Sequence, residues 1–470
     1  MNIDAAIAAL EEKGIKTVTR KAAVKQRSRD YFWYSPVLKD RLDHVTADFL
    51  CIPESQDEVI EILRICYAHD VPVTTRGAGT GNYGQAMPLA GGCVMHVAKM
   101  NKVKEIHPGR VICEPGVILK DLDAACIEDS GQEIRMFSST WSTATIGGFI
   151  AGGSGGVGSI RWGSLRDPGN IIRLRVVTME EEPRVIDITG DELHRVSHAY
   201  GTNGIITEIE FPLAPAYDWE HIFVTFKDFD EAMRYSYDLG SCDGILLKEL
   251  SIYEAPITEK YFPKIAPHAE AGDVLVAIMV APHSMPGWRT FTEGWEAATA
   301  IYESSITDWT EDPGPSFEYA WNHTTLRALQ EDSNITYLQI AYGNEDPIPL
   351  VQKIRELLSP ECLQHIEVTR MNGKLQFGSL TLVNFTTEER LDEIVAIHEA
   401  NGAMNFNPHR YTLEEGGRQS VDERQLEFKR EADPKGLLNP GKMIAWDDPN
   451  WSYDRMYAWP GLQPKQEAAE

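Results

Sequence analysis

Residues 76–92 read RGAGTGNYGQAMPLAGG and follow a short apolar run at 71–75 with the composition of a strand. A loop this dense in glycine turns backbone N–H groups inward and tolerates positive φ, which suits it to wrapping a phosphate or pyrophosphate. Gly79, Gly81 and Gly84 also satisfy the spacing G-x-G-x-x-G, with Glu105 near the place of a ribose-binding acid. That fingerprint requires a helix to begin on its last glycines, and Pro88, Gly91 and Gly92 interrupt the turns that follow. The stretch is therefore expected to cradle phosphate as a loop, not as a helix N-terminus.

Upstream of it, ADFLCI has strand character, Ser55 with Glu58 has the pattern of a helix cap, and Val59, Ile62, Leu63 and Cys66 recur at helical spacing. Downstream, GGCVMHVAKMNKV and VICEPGV read as strands and 119–130 as a helix, so an α/β layer is being built. A second glycine-rich stretch, 145–163, reads TIGGFIAGGSGGVGSIRWG. It contains a second G-x-G-x-x-G at Gly153, Gly155 and Gly158, and Gly163 and Pro168 again stop any long helix from following. Two glycine-rich loops in one domain are expected to grip two parts of one extended ligand, such as the two ends of a dinucleotide. Next, IIRLRVVTM and PRVIDIT read as a hairpin, and YGTNGIITEIEFPLAP as a strand ended by Pro212 and Pro215. From 216 the texture changes to strands such as HIFVTFKDF, DVLVAIMVAPHS, QHIEVTRMNG and LQFGSLTLVNF. Helices are expected among them at 230–239, 288–303 and 387–401. This pattern predicts an antiparallel sheet with helices on one face, a second α+β domain over 216–404. The aromatic and charged segment 20–43, with Tyr31, Phe32, Trp33 and Tyr34, reads as a loop packed on the body without an assigned role.

At 470 residues, 43% hydrophobic and 24% charged, the chain has room for two or three domains with buried cores. Its 44 basic and 71 acidic side chains give −27, which argues against nucleic acid and anionic membrane as partners. Seven cysteines without C-x-x-C or paired histidine spacing give no support to zinc or a redox dithiol. The first residues lack the basic end and apolar stretch of a signal peptide, and no run reaches the length of a membrane span. A cytoplasmic location is expected. Homodimerisation, the commonest assembly, is expected to use the aromatic tail at 446–459.

With both glycine loops placed, the sequence resembles the flavoproteins of the vanillyl-alcohol oxidase and p-cresol methylhydroxylase superfamily, nearest to its glycolate oxidase and D-lactate dehydrogenase branch. The resemblance covers nearly the whole chain. It rests on PVTTRGAGTG with AGG eight residues on, EPGV at 114–117, TIGG at 145–148, GIITEIEF at 204–211 and DPKGLLNPGKM at 433–443. It implies an α+β fold of the PCMH type, with a two-subdomain FAD domain at 1–215 completed by 405–470, and a cap domain over the flavin. It also implies FAD contacts from Arg76, Gly77, Ala78, Gly79, Thr80, Gly81, Asn82 and Gln85 in the first loop. From the opposite side it implies contacts from Ser139, Thr140, Thr145, Gly147, Gly148 and Gly152, with the turn Gly204, Ile205 and Ile206 beside adenine. Lys442 is expected to approach the flavin by family position. The first loop has no histidine and the second no cysteine, so FAD is expected without a covalent link. The cap stretch LQFGSLTLVNF lacks the histidines of the metal-binding members, so no metal is expected.

Oxidation of a C–OH bond by hydride transfer to flavin needs a base for the hydroxyl proton and donors or cations for the substrate. The stretch NFNPHRYTLEE, just after the cap, supplies His409 as the expected base, Arg410 as anion or substrate binder, and Tyr411 or Asn407 as hydrogen-bonding groups. In the cap, FEYAWNHTTLRALQ would place Tyr319, His323 and Arg327 on one helix face, with Arg370 as a carboxylate-binding candidate. The expected function is an FAD-dependent oxidoreductase that dehydrogenates a small alcohol or 2-hydroxy acid. Its electron acceptor is left open among oxygen, a quinone and a cytochrome. A phenolic or benzylic alcohol oxidase of the same fold and a flavin-binding protein without turnover are the alternatives.

Overall fold

The computed structural model describes residues 1–343 and 345–465. Three sheets organise them. The first runs Thr17–Val18, Phe49–Cys51, Cys93–His96, Val73–Arg76, with its last three strands parallel. Parallel neighbours need a crossover, and Gln56–Ala68 provides it. Ser55 Oγ accepts the N–H of Glu58 to start that helix, while Val59, Ile62, Leu63 and Cys66 bury the face turned to the sheet. Each such side chain contributes about 1.5–3 kcal/mol.

The second sheet is antiparallel, in the order Val103–His107, Arg110–Cys113, Ile205–Pro215, Arg173–Val177, Val185–Thr189. Its last two strands form the expected hairpin. The long strand Ile205–Pro215 is shared at its far end with Gln132–Ile134. The two glycine-rich stretches lead out of these two sheets.

The cap is a nine-stranded sheet whose main order is Thr299–Glu303, Glu220–Phe226, Val274–Val280, Leu247–Tyr253, His365–Met371, Lys374–Asn384, Ile335–Ala341, Met404–Phe406. Helices Phe229–Ser241, Met285–Glu293, Ile348–Leu358 and Glu388–Ala400 cover one face in a single apolar cluster. Two expectations are corrected. The helix expected at 288–303 is Met285–Glu293, ended at Gly294, and Thr299–Glu303 is an edge strand on Glu220–Phe226. The second glycine stretch is not loop throughout: Thr145 Oγ1 accepts the N–H of Gly148 and starts a short helix, Ile146–Gly152. The strand Met404–Phe406 still belongs to the cap sheet, so the cap runs slightly past 404.

The C-terminal segment then returns to the first sheet. Val73 N–H donates to Leu437 O and Asn439 N–H to Val73 O, so the stretch around Leu438 lies along that sheet's edge. Asp433, fully buried, accepts from Lys429 Nζ and from the N–H groups of Leu437 and Leu438. The aromatic tail folds onto its own chain: Trp459 and Met456 pack against the cluster of Phe32, Leu38 and Met87, and Tyr411 Oη bonds Tyr457 O and Trp459 N–H.

Candidate active site

A cavity of about 930 Å3 lies between the two glycine-rich stretches and the nine-stranded sheet, at the upper end of the ~300–1,000 Å3 seen for cofactor and ligand clefts. The first glycine loop, residues 77–82 with Gln85, forms one wall. Among the described residues, the backbone N–H groups of Ala78, Gly79, Thr80, Gly81 and Asn82 have no protein acceptor. Thr75, at the end of the preceding strand, also lines the wall and leaves its buried Oγ1 unpaired. A row of unsatisfied donors on a cavity wall is costly unless something anionic or strongly accepting sits against it. Gly77 shows how tightly the wall is built, because a Cβ there would overlap Thr145 Oγ1.

Ser139, Thr140, Thr145, Gly147, Gly148 and Gly152 form the facing wall, and Thr140 Oγ1 donates to Thr80 Oγ1, joining the two loops. Gly204, Ile205 and Ile206 line the same cavity. Gly204 has φ of +99°, and a Cβ there would strike Val176 Cγ1.

Arg76 and Lys442 stand behind this cradle, not on its surface. The Arg76 guanidinium donates to Gly77 O and Arg29 O. Lys442 Nζ is fully buried and donates to Gly84 O. Burial pushes the Lys442 ammonium down to about 7 and the nearby Asp30 carboxyl up to about 6, with their mutual attraction opposing both shifts. Asp30 reaches the cavity wall and accepts the N–H groups of Phe32 and Ala86. Tyr31 N–H donates to Gly81 O, and the rings of Tyr31 and Tyr34 stack at 5.9 Å on the cavity wall. The segment without an assigned role thus both fastens the first loop and contributes two aromatic walls.

The catalytic candidates after the cap are not on the wall. His409 is fully buried, with Nδ1 2.7 Å from Ser35 Oγ and Nε2 2.9 Å from Tyr337 O. Burial pushes its imidazole down to about 3, so it is a neutral strut between the 35–42 segment and the cap sheet. Asn407 Oδ1 accepts the N–H of His409, Arg410 pairs with Asp392 and Glu388, and Tyr411 bonds the tail. Pro408 and Asn407 turn the chain inward here, which sequence spacing does not reveal.

In the cap the helix begins only at Asn322, so His323 and Arg327 share a helix face at i, i+4 but Tyr319 lies before it. Tyr319 is core, His323 pairs with Glu318, and Arg327 lies over the Tyr319 ring while donating to Glu318 O. Arg370 does line the cavity, but its guanidinium donates to Ile160 O, Gly240 O and Gly373 O, leaving little for a carboxylate. The cap wall also includes Trp321, Asn322, Gln339, Glu367, Thr369 and Gln376. Trp321 has φ of +53°, a conformation that bulky residues rarely adopt and that is held only by surrounding bonds. Glu367, 1% exposed, is pushed up to about 7 by burial. Trp321 and Asn322 belong to the cap stretch singled out in the sequence, whereas Gln339, Glu367, Thr369 and Gln376 gave no signal because they lie on separate cap strands.

A two-lobed cradle of unpaired backbone donors, roofed by an antiparallel cap, defines a flavin-binding oxidoreductase of the PCMH type. The family profile described as FAD binding domain matches residues 47–186. Glycolate oxidase subunit GlcD of Bacillus subtilis is 31% identical over 435 residues, spanning 85% of this chain and 89% of that protein. The chain belongs to the FAD-linked oxidases, and FAD is its cofactor. An uncharacterized FAD-linked oxidoreductase of Mycobacterium tuberculosis is 32% identical over 194 residues, a match spanning 38% of this chain and only 41% of that protein. Among solved structures, an alkyldihydroxyacetonephosphate synthase superposes with a TM-score of 0.70 at 16% identity, covering 94% of this chain and 86% of that one. That likeness concerns the fold. Among the described residues no helix is long and apolar enough to cross a membrane, and no group of three or more His, Cys, Asp or Glu side chains is placed to hold a metal.

Proposed function

We propose that this chain dehydrogenates a small alcohol or 2-hydroxy acid at a CH–OH carbon. The observation that carries the proposal is the continuity of one cavity, with the donor-lined cradle along one side and cap side chains bearing hydroxyls, amides and a carboxyl along the other. FAD, when bound, supplies the hydride acceptor. The chain's own part is to hold the pyrophosphate on the N–H groups of 78–82 and on Ser139 and Thr140. The aromatic walls Tyr31, Tyr34 and Trp321 exclude water, and the cap presents a group that takes the hydroxyl proton. Relatives named glycolate oxidase, D-lactate dehydrogenase (Archaeoglobus fulgidus, 31% identical over 193 residues) and D-2-hydroxyglutarate dehydrogenase (Bos taurus, 25% over 439) support CH–OH chemistry on 2-hydroxy acids.

One observation favours an aromatic alcohol as a second reading. The cap's Arg370 is occupied by carbonyls, whereas Tyr31, Tyr34 and Trp321 offer flat apolar walls. The test is the visible spectrum of the anaerobic holoprotein with a panel of 2-hydroxy acids and benzylic alcohols. Bleaching by the first class supports the 2-hydroxy acid assignment and bleaching by the second the aromatic reading. A flavin that neither class reduces points to a binding protein without turnover. Reoxidation of the bleached protein by oxygen, a quinone or a cytochrome identifies the acceptor class. We expect the flavin to be held without a covalent link, because the first loop has no histidine and the second no cysteine. Denaturation should release all of it into the supernatant.

A further inference from the structure

Glu249 on Leu247–Tyr253 and Glu367 on His365–Met371 meet inside the cap, where Ser251 lies directly opposite Glu367 in the antiparallel ladder. All three are almost fully buried. Ser251 Oγ is 2.7 Å from Glu249 Oε1 and 2.6 Å from Glu367 Oε2. One hydroxyl carries one proton and can donate to only one of these oxygens. The second short O···O contact therefore needs a proton from a carboxyl, so the two glutamates together hold at least one proton. Two ionised carboxylates at this separation in a buried site would repel strongly.

The surroundings are consistent with that charge state. On its own strand, Glu367 Oε1 lies 2.8 Å from Nε2 of His365, whose imidazole burial pushes down to about 3 and keeps neutral. From the paired strand come Glu249 and the phenol of Tyr253, which is buried without a hydrogen-bond partner. Arg327, the cation of the adjoining helix Asn322–Glu331, is turned to Glu318 O and the Tyr319 ring. Neighbouring Lys248 pairs with Glu133. No cation among the described residues forms an ion pair with either member of the pair.

Both carboxyls grip one residue. Trp321 N–H donates to Glu367 Oε1 at 2.6 Å, and its indole Nε1–H points to Glu249 Oε2 at 3.4 Å. This clamp accounts for the strained φ of Trp321 and places its ring on the cavity wall, where its Cη2 lies 3.5 Å from the position a Cβ on Gly155 of the second glycine stretch would take. Beside Glu367 on that wall, Gln376 is 94% buried with Oε1 unpaired, and Asn322 Oδ1 is buried and unpaired. Unpaired acceptors on a cavity wall call for a donor, which a ligand hydroxyl provides.

We propose that Glu367 takes the substrate's hydroxyl proton, and that Glu249, through Ser251, is the positioning partner that keeps the pair at one proton before turnover. This rests on the alcohol-dehydrogenating function proposed above. In the step, the substrate C–H bond breaks with its electron pair leaving as hydride to FAD. The O–H bond breaks, its proton forms an O–H bond on Glu367, and the carbon–oxygen bond becomes a carbonyl. The pair then holds two protons and returns one to solvent after product leaves.

The test uses the holoprotein with Glu367→Gln and Glu249→Gln. In the absence of substrate, the infrared difference spectrum of wild type against each variant at neutral pH should contain the C=O band of a protonated carboxylic acid, and that band should titrate away as pH rises. Anaerobic flavin reduction by the best alcohol of the panel should slow about 10²- to 10⁴-fold in E367Q with flavin content unchanged. E249Q should keep the rate at high pH and move its pH midpoint up, because the neutral carboxyl whose shared proton favours the Glu367 carboxylate is gone. Absence of the acid band, or an E367Q reduction rate within about twofold of wild type, overturns the proposal while the function stands. A wild-type flavin that no alcohol reduces overturns the function and the proton-acceptor role with it, and the infrared band then still reports whether the pair holds its proton.

Discussion

Gly77 makes the closest approach to the facing wall of any glycine in the first loop. An alanine Cβ there would overlap Thr145 Oγ1 far inside van der Waals contact, while Thr145 Cβ and Cγ2 would lie at 3.4 and 3.5 Å, an ordinary packing distance. The conflict is thus with one oxygen, the one that accepts the Gly148 N–H and starts Ile146–Gly152. In Gly77→Ala the threonine must rotate and lose that cap, worth about 1 kcal/mol, and sit off its rotamer or push the loop outward, worth about 1 kcal/mol more. Thr145→Ala alone loses the cap, about 1 kcal/mol. In the double variant the oxygen is absent, so the alanine at 77 should add almost nothing. The singles therefore sum to about 3 kcal/mol, against about 1 for the double, a coupling of about 2 kcal/mol. Urea unfolding of the four proteins measures it, and flavin fluorescence gives the matching change in FAD affinity, expected to fall at least about tenfold in Gly77→Ala and to recover in the double variant. Losses that add to within about 0.5 kcal/mol would refute this account of the two walls.

His409→Ala should cost about 3 kcal/mol by leaving Ser35 Oγ and Tyr337 O without their bridge, while the pH profile of flavin reduction keeps its shape. A lost limb in that profile would restore His409 as the base. For Glu367 the sign follows from its raised folded value: the folded state holds the proton more tightly than the unfolded one, so ionisation penalises folding. The penalty is absent below the unfolded value near 4.5 and grows as pH rises to about 7. The stability of Glu367→Gln minus that of wild type should accordingly increase across this window, at no more than about 1.4 kcal/mol per pH unit. A flat difference in urea unfolding would refute the burial argument. Asp433→Asn should cost about 3–5 kcal/mol, because Lys429, 2% exposed, would lose its carboxylate partner. A change in melting temperature within error would show that the closing segment is not anchored there.

Local features of the sequence carried over well where the physics was local. The cap at Ser55, the buried stripe Val59, Ile62, Leu63 and Cys66, the hairpin of Arg173–Val177 with Val185–Thr189, and the loop without a helix after Arg76 each depend on residues within a few positions of one another. Thr145 as a helix cap was equally local, yet the density of glycine around it concealed the short helix. The edge strand Thr299–Glu303 was missed because its alternation is weak and its partner, Glu220–Phe226, lies far away in the chain.

By itself the sequence determined two glycine-dense stretches suited to an anionic, extended ligand and, from residue 216 on, the strands of an antiparallel sheet. Backbone conformation and hydrophobic period are properties of short windows. Tertiary structure alone decided which side chains meet over that ligand. His409 was turned inward to bridge Ser35 and Tyr337, Arg370 was tied to three carbonyls, and Glu249 was brought against Glu367 across 118 residues of chain by strand register. The charge state of a carboxyl depends on how much water and how many neighbours surround it, and those neighbours are assigned by packing between strands far apart in sequence.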